Sequence, residues 1–296
     1  MTLLPKNEPK KTIDTPRNFF IWGATMSGKS YLASEFPNPV IFNTDGNADV
    51  IETPSVDLKN ARNKQTGAIE FSVIDQLNQL LIELEQGGHG FETVVIDVVD
   101  DLVTLIEQFI CESNDVTYIG DIPYGKGFGL FKSYFTALVV KLKSLPMNVI
   151  YVSRYATVNE NNVEKPIPSL SPKHVNVVNG NCDLNIMTQK IGKKHLRRVV
   201  DRRKNYQRDW IQDERILNIL DSVVGAFDKS QSATKEEATK LVSDSESNEH
   251  AKAEALAVEN QPAPEPKAET KVEPPKVEGP TPKTAQPRAP RPPRVK

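Results

Sequence analysis

Cysteine is scarce in this chain of 296 residues, which contains only Cys111 and Cys182. The two cysteines form neither a redox-pair motif nor the spacing of a zinc site, so we expect buried, reduced thiols rather than a cysteine-held metal. Long apolar runs are also missing. No stretch reaches the roughly eighteen residues that a bilayer span requires, and the N-terminus has no signal-like apolar segment. We therefore expect a cytoplasmic protein without a membrane partner.

An excess of charge of either sign is absent as well. The chain has 37 Lys and Arg residues against 39 Asp and Glu residues, which gives a formal net charge of −2. A globally basic surface is thereby excluded. Any binding of a polyanion must depend on local clusters of Lys and Arg.

Apolar residues make up 38% of the chain, and they are concentrated before Asp228. Residues 229–296 are rich in Pro, Lys, Glu, Ala and Ser, a composition typical of disordered segments that tether a domain or bind a partner. Residues 1–16 also lack a core pattern. We therefore predict a flexible segment over 1–16, a folded domain over 17–228, and a disordered tail over 229–296 with at most a weak helix near its start.

The segment GATMSGKS, residues 23–30, satisfies the pattern G-x-x-x-x-G-K-[ST] in full. An apolar strand pattern precedes it and helix-permitting residues follow. A loop in this position presents backbone N–H groups to a polyphosphate at a helix N-terminus, with Lys29 reaching the β- and γ-phosphates and the Ser30 hydroxyl ligating Mg²⁺. The alternative is a glycine-rich turn with an incidental lysine. The predicted nucleotide-binding residues are Gly23, Ala24, Thr25, Met26, Ser27, Gly28, Lys29 and Ser30.

Two further apolar strand patterns end in carboxylates. Thr93 to Ile96 leads into Asp97, which we predict to hold the metal at the carboxyl edge of the sheet. Val40 to Phe42 leads to Asp45, for which two interpretations stay open: orienting the attacking water, or forming an Asp-Gly turn. The predicted catalytic residues are Lys29, Asp45 and Asp97, and the predicted metal ligands are Ser30 and Asp97. Asp101 is interpreted as a favourable helix N-terminal charge, and Asp100 stays undecided between that and a role in the site.

Strand and helix patterns alternate along the rest of the domain. Helical periodicity covers residues 73–86 and 98–111 and a third segment that starts at 126 and ends before Pro146, and Met147 to Arg154 reads as another buried strand. This alternation predicts an α/β fold with a mainly parallel sheet of the P-loop class.

Two segments are predicted to be loops at the carboxyl edge of this sheet: NDVTYIGDIPYGKGFG (114–129) and the segment from Arg154 to Lys173. Tyr124, Lys126, Phe128 and Arg154 lie in them. Aromatic and basic side chains on loops suit stacking on unpaired bases and contact with phosphates. Ordinary surface loops with anchoring aromatics are the alternative.

Residues 190–208 contain nine basic residues and one acidic residue, a local charge of about +8. The pattern predicts a β-hairpin with a turn near Gly192, and the charge density favours nucleic acid. A solvated charged face is one alternative. An arginine finger from Arg202, Arg203 or Lys204 towards a neighbouring subunit is another. The predicted DNA-binding residues are Tyr124, Lys126, Phe128, Arg154, Lys193, Lys194, Arg197, Arg198, Arg202 and Arg203.

Taken together, GATMSGKS, VIFNTDGNAD, TVVIDVVDD and NVIYVSR with the basic hairpin resemble the RecA-like P-loop ATPases, most closely the phage-encoded nucleotide-binding proteins of the P-loop Sak class. The resemblance covers about Asn18 to Trp210. It implies a RecA-like core that uses ATP and Mg²⁺, and a homo-oligomer that binds single-stranded DNA and promotes annealing or strand exchange in the host cytoplasm.

The resemblance also assigns roles to individual positions. It places Asp45 where RecA-like proteins have a catalytic glutamate one methylene longer, so slow hydrolysis is expected. It places Arg154 near their γ-phosphate-sensing side chain, usually glutamine, which puts that coupling in doubt. By analogy, the tail recruits a single-strand binding protein or another recombination protein. The main competing hypothesis is an NTPase motor or loader that acts on protein assemblies, and a small-molecule kinase is disfavoured because no lid segment with paired arginines is evident.

Overall fold

A computed structural model of the chain describes residue 7 and residues 14–47, 52–160, 163–229 and 234–244. The chain divides into two units, Met1–Gln231 and Ser232–Lys296. In the second unit the described residues include a helix over 235–244. Most of the predicted flexible segment at 1–16 and most of the predicted disordered tail at 229–296 lie outside the described residues.

The first unit contains eleven strands among its described residues. In chain order they are β1 (Asn18–Gly23), β2 (Pro39–Asn43), β3 (Ser55–Asp57), β4 (Ala61–Arg62), β5 (Ile69–Phe71), β6 (Thr93–Asp97), β7 (Asn148–Ser153), β8 (Tyr155–Glu160), β9 (Val163–Pro168), β10 (Leu184–Ile191) and β11 (Lys194–Arg202). Seven of them form one sheet in the order β11-β10-β1-β7-β6-β2-β3, in which only β11 is antiparallel to its neighbour. The pairs β4–β5 and β8–β9 form two separate hairpins.

Helices cover both faces of the sheet. They are α1 (Lys29–Ser34), α2 (Val73–Gln86), α3 (Val99–Glu112), α4 (Lys126–Ser144), α5 (Pro172–Asn179) and α6 (Glu214–Asp221). No helix in the described part of the chain is both long enough and apolar enough to span a bilayer.

The central strands are buried on both sides, as expected for parallel strands between helical layers. In β1, Phe20 and Trp22 pack into the core under α2 to α5, whereas Phe19 and Ile21 pack into the core under α1 and α6. This two-sided burial explains why the strands read as continuous apolar runs in the sequence. The predicted α/β core, its mainly parallel sheet and its C-terminal hairpin are confirmed.

The segments that were predicted to be loops have more regular structure than expected. The segment from Arg154 to Lys173 contains the β8–β9 hairpin and the start of α5, because its Thr, Val and Ile residues suit paired strands. The first segment contains two short 3₁₀ turns, Ile119–Asp121 and Pro123–Gly125, and α4 begins at Lys126, where the sequence also predicted helical periodicity. The prediction of an irregular loop was therefore wrong for β8, β9 and the start of α5.

The topology brings the carboxyl ends of several strands to one edge. In the pairing register Gly23 lies beside Thr188, Asn43 beside Asp97, and Asp97 beside Val152. In open α/β sheets this edge is where ligands bind.

A candidate nucleotide site at the carboxyl edge of the sheet

The loop between β1 and α1 lies at this edge and connects the buried strand to the start of α1 at Lys29. Gly28 has a φ of 94°, a left-handed conformation that a side chain disfavours, so the second glycine of the motif is required by the backbone. Met26 also has positive φ, 60°, and its side chain is exposed. The Ser27 N–H donates to the Ala24 carbonyl at 3.2 Å, which closes the loop. We call residues 23–30 the P-loop.

Lys29 is buried within the P-loop. Its Nζ donates to the carbonyl oxygens of Gly23 at 3.1 Å and Ala24 at 2.8 Å. Burial lowers the pKa of Lys29, and the nearby carboxylate of Asp97 opposes that shift. Because an ammonium has three donors and two carbonyls accept here, one donor remains for an anionic acceptor such as a phosphate oxygen.

Asp97 and Ser30 meet beside Lys29. Asp97 is only 8% exposed. Burial raises the pKa of Asp97, while a hydrogen bond from Ser30 and the charge of Lys29 lower it and the charge of Asp45 raises it. A carboxylate and a hydroxyl are hard oxygen ligands of the kind that Mg²⁺ prefers, so these residues fit that ion.

Mg²⁺ would need ligands beyond these two side chains. Among the described residues, no group of three or more His, Cys, Asp or Glu side chains is arranged to hold a metal. Mg²⁺ in such sites is usually held by one or two protein groups, phosphate oxygens and water. The donor set therefore suits a magnesium–nucleotide complex better than a free ion.

Thr44 and Asp45 follow β2 at the same edge. The Thr44 N–H donates to the Asp97 carbonyl at 2.8 Å, and the Val98 N–H donates to Thr44 Oγ1 at 2.8 Å, so the ends of β2 and β6 are tied together. Asp45 Oδ1 accepts from the Asn47 N–H at 3.0 Å, which is an Asx turn. Asp45 thus makes the turn and also faces the site, and its catalytic role stays a prediction.

Arg154 lies at the end of β7 and is held by two carboxylates. Its Nη1 and Nη2 donate to Asp101 Oδ1 and Oδ2 at 2.6 Å and 2.7 Å, and its Nη2 is 4.0 Å from Asp45 Oδ2. The Asp101 hydrogen bonds raise the pKa of Arg154. The guanidinium charge also lowers the pKa of Lys29. Arg154 therefore belongs to the nucleotide site as much as to the loop in which the sequence placed it.

Asp100 fixes the start of the β8–β9 hairpin. It accepts from the Ser153 hydroxyl at 3.2 Å, from the Arg154 N–H at 3.1 Å, and from the Ser169 hydroxyl. Sequence reasoning left Asp100 undecided and interpreted Asp101 only as a helix-terminal charge. Their partners lie 53 to 69 residues away along the chain, so local patterns gave no signal for either contact.

The basic stretch of residues 190–208 is divided between the two ends of the sheet. β10 continues three residues past Thr188, the partner of Gly23, so the turn between β10 and β11 projects beyond the carboxyl edge. Lys190, Lys193 and Lys194 lie at this turn. They are exposed, and no salt bridge found among the described residues involves them. We call these three residues the lysine tip.

The arginines of β11, and Arg203 directly after it, make contacts within the protein. Arg197 pairs with Glu35, with Nη1 2.6 Å from Oε2. Arg202 lies opposite Leu184 at the amino edge of the sheet and donates to the Gly225 carbonyl at 2.6 Å. Arg203 donates to the Cys182 carbonyl at 3.0 Å, and Arg198 makes a contact of 3.3 Å with the Met187 sulfur. The structure therefore brings Lys193 and Lys194 near the P-loop, but not Arg202 and Arg203.

Tyr124 and Phe128, the two aromatic residues predicted to bind DNA, lie around the start of α4. Phe131 packs against His174 of α5. Lys143, near the end of α4, contacts Asn181, which precedes β10 and so lies at the amino edge of the sheet. Because the end of α4 lies at the amino edge, its start lies on the side of the carboxyl edge. Tyr124 is 96% exposed with a φ of 59°, and Phe128 is 52% exposed. A non-glycine residue with positive φ and a solvent-facing ring is uncommon and often functional.

Comparison with known proteins identifies the family. No curated protein matches the chain. A family model described as an AAA domain, AAA_24, matches residues 15–209, a range that includes the P-loop, Asp97, Arg154 and the β10–β11 hairpin. The match covers about two thirds of the chain and is consistent with a P-loop nucleotide-binding NTPase, so the chain belongs to this AAA domain family.

Proposed function

We propose that this protein is a RecA-like, magnesium-dependent ATPase that binds single-stranded DNA and promotes annealing or strand exchange in phage recombination or replication. This function requires a nucleotide site, a surface that binds single-stranded DNA, and an assembly of subunits.

The convergence of Lys29, Ser30 and Asp97 at one edge of the sheet carries the nucleotide part. Lys29 holds a free donor beside the P-loop amides, and Ser30 and Asp97 supply oxygen ligands in contact with each other. When bound, Mg²⁺ would neutralise charge on the phosphate oxygens. The protein's own contribution is to position the phosphates and to hold Asp45 and Arg154 close to them.

Hydrolysis needs a group that orients water. Asp45 is the carboxylate that faces this site from β2, but its Oδ1 already accepts from Asn47. A carboxylate that is engaged in a turn is a weaker candidate for a general base than a free one. We therefore propose slow turnover, in agreement with the shorter side chain at this position.

The lysine tip and the exposed rings of Tyr124 and Phe128 support the strand-binding part. The three lysines take part in no salt bridge among the residues that the structure describes, so their charge is available for backbone phosphates, and the exposed rings offer surfaces for base stacking. Arg197, Arg202 and Arg203 contribute less, because they bond to Glu35 or to backbone carbonyls. The footprint we propose is therefore smaller than the charge of about +8 suggests.

The assembly and the partners are proposed from the resemblance alone. We propose a homo-oligomer in the host cytoplasm whose tail recruits a single-strand binding protein or another recombination protein.

Mobility of a fluorescent single strand and of a duplex, each with and without magnesium ATP, tests the proposal. The wild-type protein should retard the single strand in preference to the duplex. A variant with Lys190, Lys193 and Lys194 changed to Ala should lose that preference while it keeps nucleotide affinity. Lys29→Ala should lose nucleotide binding. If the wild-type protein retards neither the single strand nor the duplex, the proposed binding of single-stranded DNA is contradicted.

The internal pairing of the β11 arginines favours a second candidate, an NTPase motor or loader that acts on protein assemblies. In that case the hairpin serves contacts between subunits and little free charge is needed. This candidate would be supported over the first if DNA does not change the rate of ATP turnover and if the molecular mass of the assembly changes when nucleotide is added.

A further inference from the structure

The β10–β11 hairpin touches the P-loop from both of its strands, and both contacts involve Ser27. From β10, Thr188 Oγ1 lies 2.6 Å from Ser27 Oγ, and both hydroxyls are buried. From β11, His195 Nδ1 lies 3.1 Å from the Ser27 carbonyl oxygen. Because a carbonyl oxygen only accepts, Nδ1 carries the proton in this hydrogen bond.

The fit between hairpin and loop is tight at both glycines of the motif. A Cβ on Gly23 would lie 2.2 Å from the Thr188 carbonyl oxygen, and a Cβ on Gly28 would lie 3.3 Å from His195 Nδ1. The two glycines therefore let the hairpin approach the P-loop backbone as well as giving the loop its conformation. A shift of the hairpin cannot leave the loop unchanged, because closely packed contacts transmit displacement.

The His195 contact orients a peptide group that matters for phosphate binding. The only cis peptide bond among the described residues is elsewhere, so the Ser27–Gly28 peptide is trans. In a trans peptide the C=O and the next N–H point in opposite directions. His195 draws the Ser27 carbonyl towards the hairpin and thereby directs the Gly28 N–H away from it. P-loops bind phosphate with such backbone N–H groups.

The same hairpin carries the lysine tip. Lys194 is adjacent to His195 in β11, and Lys190 pairs with His195 across the hairpin. A nucleic-acid strand bound to these lysines would restrain the β10–β11 hairpin, which contacts Ser27. The two binding events therefore share one structural element.

We infer that the β10–β11 hairpin couples strand binding to nucleotide binding, with His195 as the positioning residue for the P-loop; this inference rests on the proposed function. A nucleic-acid strand bound to the lysine tip restrains His195 and Thr188 against Ser27. This restraint holds the backbone N–H groups of the P-loop in position to bind phosphate. Binding of the strand and of the nucleotide each strengthens the other, and the two enhancement factors are equal by thermodynamic linkage.

Nucleotide affinity measured with and without a strand tests the coupling. The full-length protein is titrated with magnesium and a non-hydrolysable ATP analogue, alone and with saturating oligothymidine. We expect the strand to raise the nucleotide affinity about fivefold or more, within the usual range of coupling between sites. An unchanged affinity in a wild-type protein that binds the strand overturns the coupling. A lowered affinity, caused by repulsion between the two anions, also overturns it.

Variants at His195 assign the effect to the residue. His195→Leu should reduce the enhancement towards one while the lysine tip still binds the strand. His195→Asn, which keeps an N–H donor near the position of Nδ1, should retain most of it. Thr188→Val removes the second contact and serves as an independent variant if His195→Leu does not fold. Full enhancement in both His195→Leu and Thr188→Val overturns the role of the hairpin contact. A wild-type protein that binds no strand shows instead that the proposed function has failed, and the coupling fails with it.

Discussion

Arg154 and Asp101 form a two-point ion pair at the edge of the nucleotide site, with Nη1 and Nη2 each within 2.7 Å of a carboxylate oxygen. The pair is partly exposed, so its net contribution to stability is expected to be at most about 1 kcal/mol. The ion pair matters because it positions the Arg154 guanidinium close to Asp45, where its charge also acts on Lys29 and Asp97.

The first prediction concerns the discrimination between ATP and ADP. Arg154→Gln should lower ATP affinity by about tenfold or more relative to ADP, because a charge-assisted hydrogen bond to the extra phosphate is worth roughly 1.5–3 kcal/mol. Asp101→Asn should raise ATP affinity by up to about fivefold, since it releases the guanidinium from a surface ion pair. Calorimetric titration with each nucleotide measures both effects. If Arg154→Gln instead weakens only the binding of single-stranded DNA, Arg154 contacts DNA and not the nucleotide.

The second prediction concerns pH. Because burial raises the pKa of Asp97 above its ordinary value of 3.8, the carboxylate becomes protonated at a higher pH than an exposed aspartate. The protonated form does not ligate Mg²⁺, so the enhancement of ADP binding by Mg²⁺ should be full well above that raised pKa and fall as the pH drops through it. Titrations with magnesium and with a chelator, across acidic to neutral pH, measure the enhancement.

Asp97→Asn is the matched control for this pH series. It removes the titrating group and leaves the protonation of ADP itself unchanged. The variant should show little enhancement by Mg²⁺ at any pH. An enhancement that follows the same pH curve in both proteins would mean that the nucleotide, not Asp97, titrates.

The third prediction separates the two ends of the basic hairpin. Lys193→Ala with Lys194→Ala should reduce the slope of log affinity for single strands against log salt by roughly 1.4, since each lost phosphate contact removes about 0.7. Arg202→Ala with Arg203→Ala should leave that slope nearly unchanged and instead lower the melting temperature, because these side chains tie β11 to the Gly225 and Cys182 carbonyls. Equal loss of slope in both double variants would contradict this division.

The fourth prediction uses two glycines with opposite surroundings. Gly23→Ala should destabilise the protein by at least about 1–3 kcal/mol, because the new methyl group meets the Thr188 carbonyl. Gly129→Ala in α4 has open space around it and should stabilise by about 0.5–1 kcal/mol. Chemical denaturation of both variants measures the difference, and nucleotide titration should show loss of binding only for Gly23→Ala.

The sequence predicted what depends on neighbouring residues. β1, the P-loop and the strand that ends at Asp97 are local patterns, in which continuous apolar runs and a glycine motif specify the structure almost by themselves. The contacts that complete the site are not local. Ser27 meets Thr188 across 161 residues and His195 across 168, and Arg197 meets Glu35 across 162. Such contacts follow from the strand order of the sheet, which no single segment encodes.

Charge counting along the chain could not place the individual side chains, for a related reason. Alternate residues of a strand point to opposite faces, and the two ends of a hairpin arm lie far apart, so a dense run of Lys and Arg is dispersed when it becomes β11. The lysines at the turn stay together, and the salt bridges found in the described part of the chain do not involve them. The hairpin was predictable from the sequence, but the distribution of its charge was not.

Both outer strands of the main sheet are poorly suited to strand addition. On β11, the Val199 N–H donates to the Val224 carbonyl and the Val224 N–H donates to the Arg197 carbonyl, each at 2.9 Å, so part of the open ladder is already occupied. At the opposite border, β3 has only three residues. An edge that is short or covered resists β-augmentation by another chain. Continuation of the main sheet from one copy of this chain into another is therefore disfavoured.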